Sequence, residues 1–276
     1  MAEVMSPLEA ATTQAPAEAP EGRLQLLGVR KSFGGRTVVD IDDLALGGHG
    51  IEGIIGPNGA GKTTLMNVIT RARRPDRGSI VYRPAAGGPV ELTGMTLDAI
   101  ARLGVVKSNQ VISEFAGLSV MDSMLLSAAP SRYERMLGTD SLRAERRLRE
   151  EAREDLAVYV DYFGLRQVDA PALSAGEKKL LDIIRCLLLR PRFLLLDEPT
   201  AGLPEDQTRL VMDLMRHKAA EEDVTIVVVE HDLALIWEVC EFVHFMADGR
   251  IVEQGPPAAI RASTLVAQKY LGHADG

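Results

Sequence analysis

Gly56, Gly61, Lys62 and Thr63 stand at the spacing Gly-x4-Gly-Lys-Thr. Those side chains in that order suit one task, the holding of a chain of phosphates. Glycine lets backbone N–H groups close around phosphate oxygens without interference from a Cβ. Lys62 can neutralise β- and γ-phosphate charge, and the Thr63 hydroxyl is a ligand for Mg2+. The whole loop reads Gly56-Pro57-Asn58-Gly59-Ala60-Gly61-Lys62-Thr63-Thr64. It follows the apolar run Ile51–Ile55 and opens a helix whose positive N-terminus faces the anion. By itself the loop admits ATP or GTP.

Two acids close another apolar run, Phe193-Leu194-Leu195-Leu196-Asp197-Glu198. Ligands of a parallel sheet bind at the carboxyl ends of its strands. Asp197 is therefore expected to hold Mg2+ through water, and Glu198 to polarise the attacking water. Acids are also common at solvated strand ends; the phosphate loop in the same chain favours the catalytic reading. His231 follows Val227-Val228-Val229-Glu230, at a further strand end. It is either a structural cap or a group that bonds the γ-phosphate and orients Glu198 and the water.

These residues need elements to position them. Strands are expected at Leu24–Ser32, Thr37–Leu46, Ser79–Arg83 and Val90–Leu92. A helix is expected over residues 62–72, ended by the basic, proline-containing stretch Arg71–Arg77. From about Thr96 to Val168 the pattern is helical, with the charged stretch Ser141–Ala157 read as a solvated helix face. A helix at Leu180–Leu189 follows. The continuous apolar runs Phe193–Leu196 and Val224–Val229 read as strands buried on both faces of a parallel sheet. Phe242–Met246 and Arg250–Glu253 form a β pair around the turn Asp248-Gly249. The fold class is α/β. Residues 1–22, rich in Ala, Pro, Thr and Glu, read as a disordered leader. No internal repeat is visible, so the chain holds one nucleotide-binding unit.

Composition narrows the partners. A formal net charge of −8 argues against nucleic acid held on a broad basic face. The two cysteines, Cys186 and Cys240, lie inside apolar segments and read as core residues. No apolar run nears the ~18 residues needed to cross a bilayer, and the N-terminus lacks a signal-peptide pattern. The expectation is a cytoplasmic chain whose membrane role needs a membrane-spanning partner.

Leu173-Ser174-Ala175-Gly176-Glu177 resembles the signature of ATP-binding cassette (ABC) ATPases, usually written LSGGQ. Its spacing from Asp197 and the order of the motifs also match that family, over Leu24 to Gly272. The resemblance implies a P-loop NTPase of the ABC cassette type, in one domain spanning residues 23–276. Such a cassette has a mainly parallel core sheet, an antiparallel β subdomain and a helical subdomain, here over about residues 96–172. The resemblance further implies ATP and Mg2+ as ligands. It implies Phe33 stacking on adenine, and Gln110 contacting Mg2+ and the attacking water. Ala201-Gly202-Leu203 would cross a dimer interface. Ser174, Ala175, Gly176 and Glu177 would cap the ATP held by a second ABC subunit, identical or paralogous. Ala175 stands here for the usual first glycine, Glu177 for the usual glutamine and Pro204 for the common aspartate. Ser174 and Gly176 still offer a hydroxyl and a backbone N–H.

Within the family, three stretches resemble the larger ATPase of branched-chain amino-acid importers. They are Ser32-Phe33-Gly34-Gly35, Glu230-His231-Asp232-Leu233 and Gln268-Lys269-Tyr270-Leu271-Gly272. That likeness implies integral-membrane permease subunits, a solute-binding protein and attachment to the inner face of the cell membrane. Related importers for urea, short amides and aromatic acids share these features, and the lipopolysaccharide-export ATPase shares many of them. A soluble regulatory ABC protein is a further alternative.

Overall fold

The computed structural model describes residues 23–108, 150, 153–165 and 174–271. Gln110, Leu173, the expected leader and most of the expected helical subdomain lie outside the described residues. The described strands are β1 (Leu24–Phe33), β2 (Arg36–Leu46), β3 (Ile51–Ile55), β4 (Arg77–Tyr82), β5 (Val90–Glu91) and β6 (Val105–Lys107). They continue with β7 (Phe193–Asp197), β8 (Thr225–Val229), β9 (Phe242–Ala247) and β10 (Arg250–Gly255). Helices α1 (Lys62–Ile69) and α2 (Leu97–Arg102) precede α3 (Ala175–Leu188), α4 (Glu205–Glu221), α5 (Leu233–Val239), α6 (Pro257–Ala262) and α7 (Thr264–Leu271). Residues 153–162 are helical as well.

Two sheets organise these elements. One is antiparallel, in the order β2-β1-β4-β5. The other has the order β10-β9-β3-β8-β7-β6, with every pairing parallel except β10 with β9. The β9–β10 hairpin turns through Asp248 and Gly249, both at positive φ, as a two-residue turn between twisted strands requires.

The apolar runs behave as strands with two buried faces. In β7, Leu194 and Leu196 join one core cluster, and Phe193 and Leu195 join the other. In β8, Ile226 and Val228 face the first cluster, and Val227 and Val229 the second. Alternation of side-chain direction sends each strand's residues into both layers, so a run without polar interruption is what this position demands. Cys186 and Cys240 are buried, unbridged thiols in the first cluster. Burial pushes both thiols up to about 12, which keeps them inert.

Three expectations change, one being the helix expected at Leu180–Leu189, which spans Ala175–Leu188. The helix expected over 62–72 ends at Ile69, because Arg71 turns left-handed (φ 62) and the Arg71 and Arg73 N–H groups close back on Val68 and Asn67. The helical pattern expected from Thr96 onward is broken by β6, an edge strand of the core sheet. Gly104, at φ 88, reverses the chain after α2, and its carbonyl accepts from Arg192 and Phe193 N–H. A strand of three residues is too short to impose a period on the sequence.

Candidate active site

Three adjacent strands carry the site. β8 lies between β3 and β7, and the register sets Ile54 beside Val229 and Val229 beside Asp197. The segments leaving these strands therefore emerge side by side. They are the Gly56–Gly61 loop, Glu198, and Glu230 with His231.

Close approach fixes the loop's glycines. A Cβ on Gly56 (φ 153) would stand 1.9 Å from the Met246 carbonyl oxygen, and one on Gly61 (φ 105) 2.4 Å from that of Val38. The loop is thus wedged between β9 and β2, where only glycine fits. α1 starts after Gly61 with no side-chain cap. Its first N–H groups lack an intrahelical acceptor, which suits them to an anion. Lys62 is buried, and its Nζ donates to the carbonyls of Gly56 at 2.6 Å and Pro57 at 3.1 Å. Burial pushes the Lys62 ammonium below its ordinary value, and the charges of Glu198 and Asp197 oppose that shift.

Thr63 and Asp197 form the corner suited to a metal. Thr63 Oγ1 is 3.3 Å from Asp197 Oδ1. Asp197 Oδ2 is buried without a hydrogen-bond partner among the described residues, although the Lys107 ammonium lies 3.5 Å away. A buried carboxylate oxygen left in that state is an open valence for a hard cation. Mg2+ takes few protein oxygens and fills its other positions with water and phosphate, so the donor set fits it. The Asp197 backbone is pinned on both sides. Its N–H donates to Ser108 Oγ at 3.0 Å, and its carbonyl accepts from Lys179 Nζ at 3.0 Å.

Glu198 continues the ladder by one bond, from its N–H to the Val229 carbonyl at 2.8 Å, and then turns left-handed at φ 51. Left-handed backbone costs a non-glycine residue about 1 kcal/mol or more. The turn aims the carboxylate at His231, whose Nε2 lies 2.8 Å from Glu198 Oε1. Against an ionised carboxylate, Nε2 must be the protonated nitrogen and the donor.

The signature residues serve their own helix within this chain. Ser174 caps α3: its Oγ accepts from Glu177 N–H at 3.1 Å, and Glu177 Oε2 accepts from Ser174 N–H at 2.8 Å. This is a reciprocal capping box, and the Ser174 N–H holds the exposed Glu177 carboxyl below the usual range. Gly176 is buried against the loop after β7. A Cβ there would meet Leu203 Cδ2 at 3.2 Å and the Gly202 carbonyl at 3.5 Å. No described contact joins Ser174, Ala175, Gly176 or Glu177 to the Gly56–Thr64 loop of the same chain. Phe33 is 45% exposed at the β1–β2 turn, with the Lys31 ammonium 5.2 Å from its ring centre. β2 itself runs against the loop at Val38.

The sequence shows no sign of the roles of four residues that build this region: Lys107, Ser108, Lys179 and Glu230. Lys107, Ser108 and Lys179 meet Asp197, and Glu230 meets Thr200, across stretches of chain for which local pattern holds no signal. The capping box was open to view, because Ser-x-x-Glu ahead of an apolar helix is its mark.

A phosphate-cradling loop, an acidic strand end and a histidine on adjacent parallel strands define a P-loop nucleotide hydrolase. The family model "ABC transporter" matches residues 43–201. The chain is 31% identical over 258 residues to the high-affinity branched-chain amino acid transport ATP-binding protein LivG of Escherichia coli (strain K12), covering 91% of this chain and 98% of LivG. It is 30% identical over 249 residues to the lipopolysaccharide export system ATP-binding protein LptB of Acidithiobacillus ferridurans, covering 90% of this chain and 96% of that protein. A crystal structure of a nucleotide-free ATP-binding cassette from an ABC transporter superposes with a TM-score of 0.73 at 22% identity, over 89% of this chain and 97% of that one. The chain belongs to the ABC transporter family. It is an ATP-binding, ATP-hydrolysing subunit of that family, built on the P-loop ABC cassette fold.

Proposed function

We propose that this chain powers the uptake of a small polar solute, branched-chain amino acids, as one of two paired ATPase subunits. The observation that carries the hydrolytic reading is the Glu198–His231 pair at 2.8 Å, beside the Lys62 loop. The loop's N–H groups and Lys62 hold the β- and γ-phosphates, and Phe33 stacks on the adenine. Thr63, Asp197 and Gln110 would hold Mg2+, which when bound neutralises charge on the phosphate oxygens. His231 fixes Glu198 through one carboxylate oxygen. The other accepts a proton from water as that water's oxygen attacks the γ-phosphorus. The bond from the γ-phosphorus to the bridging oxygen breaks, leaving ADP and phosphate. Ser174, Ala175, Gly176 and Glu177 reach the ATP of the second subunit.

The likeness to LivG supports amino-acid uptake. A partner set of integral-membrane permeases and a solute-binding protein follows from that reading. The likeness to LptB, at nearly the same identity, favours lipopolysaccharide export as the second reading. Among the described residues no helix is long and apolar enough to cross a membrane. The proposed place of the chain is the inner face of the cell membrane, held there by the permeases.

Glu198→Gln tests the assignment. General-base assistance is worth ~10²–10⁴-fold, so phosphate release is expected to fall by that order while ATP binding persists. Turnover at the wild-type rate would reject Glu198 as the base.

A further inference from the structure

Glu230 is 5% exposed, and its described partners are three N–H and O–H donors. Oε1 accepts from Thr200 N–H at 2.8 Å and from Thr200 Oγ1 at 2.7 Å. Oε2 accepts from His231 N–H at 3.2 Å. The two oxygens thus divide the work, one holding the loop after β7 and the other the backbone of His231. Burying a carboxylate is costly unless its donors are well placed. A neutral polar residue could end β8 at lower cost.

The loop that Glu230 holds has a second contact. Leu203 N–H closes on the Thr200 carbonyl at 3.0 Å, and Ala201 N–H on that of Glu198 at 3.3 Å. Gly202 and Leu203 lie against Gly176 at the start of α3. A continuous path of contacts therefore runs from the head of α3, through Thr200–Leu203 and Glu230, to His231 and Glu198.

We propose that Glu230 is a positioning residue for hydrolysis, fastening the Thr200–Leu203 loop to the His231 backbone so that the head of α3 and the Glu198–His231 pair move together. The inference rests on the assignment of Glu198 and His231 to the hydrolytic step. It predicts that a shift of α3 or its loop reaches the His231 backbone through the Glu230 carboxylate.

Glu230→Gln separates the two halves of this link. The amide oxygen can keep both Thr200 bonds, but the NH2 group meets the His231 N–H, donor against donor. Thr200→Val cuts the link from the other side by removing only the hydroxyl bond. Steady-state ATP hydrolysis is measured on the full chain for these variants, for His231→Ala and for the double variants. Glu230→Gln is expected to lower kcat about tenfold, with KM for ATP within about twofold of wild type. In the His231→Ala background the same change is expected to have little further effect, within about twofold. Thr200→Val should follow the same pattern with a smaller loss, and it carries the cycle if Glu230→Gln does not fold. An unchanged kcat, a loss confined to KM, or full additivity with an impaired His231→Ala overturns this inference alone. Wild-type turnover by His231→Ala overturns it together with the catalytic reading of His231.

Discussion

The Lys62 ammonium rests on two carbonyls of its own loop; burial lowers its pKa, and the nearby acids oppose that shift only in part. Its Nζ donors are therefore in place at the loop and can be redirected to phosphate oxygens. A charge-assisted hydrogen bond contributes about 1.5–3 kcal/mol. Lys62→Ala is expected to weaken ATP binding by about tenfold or more, read by calorimetric titration, and an unchanged affinity would contradict the assignment. The same scale explains Glu177. As a departure from the common signature it looks like a loss of function, yet its carboxylate completes the capping box with Ser174. Glutamine can make the same contact, so the helix start is preserved either way.

At the scale of elements, β3 carries work at both ends. Its carboxyl end delivers the phosphate loop. Near its other end Glu52 is buried with His244, and the partly exposed His49 lies against it. Burial pushes the Glu52 carboxyl up, but hydrogen bonds from His244 and from the Gly47 and His49 N–H groups outweigh it. The group is held below its ordinary value of 4.5. With the folded value depressed, ionised Glu52 stabilises the fold in full above that pH. The contribution is lost as pH falls through the folded value. Glu52→Gln is expected to cost about 1–3 kcal/mol near neutral pH. Thermal unfolding of the two proteins should converge as pH drops below about 4.5. A gap in Tm that stays constant into the acid range would remove Glu52 as the cause.

Elements also mark how far sequence reading reaches. β7 and β8 announce themselves as short apolar runs because both their faces are buried, and β3 does so apart from the buried Glu52. The β9–β10 hairpin announces itself through Asp248-Gly249. β6 does not, because three residues at a sheet edge leave no periodic trace. The helix expected from Leu180 starts at Ala175, where the Ser174 cap sets a polar first turn that carries no apolar period.

For the whole molecule, the arrangement of the signature is the informative feature. Ser174 and Glu177 turn to each other and not to the phosphate loop of their own chain. On the proposed reading they complete a second subunit's site. ATP then becomes part of the interface, and a variant that binds but does not hydrolyse should hold the pair together. Glu198→Gln is expected to sediment as a dimer with ATP and Mg2+ and as a monomer without nucleotide. A mass independent of ATP would reject the shared-site arrangement.

The sequence alone determined the chemistry of the parts. Glycine spacing specified a phosphate cradle, because only a backbone free of Cβ atoms can close on that anion. Apolar runs specified which strands lie in the sheet's interior. The tertiary structure decided which parts meet. Strand order β3-β8-β7 sets His231 beside Glu198, and it lets Glu230 join the His231 backbone to Thr200. The pairing of parallel strands is made by backbone groups common to all residues, between segments far apart in the chain. Local pattern can therefore name the strands but does not order them.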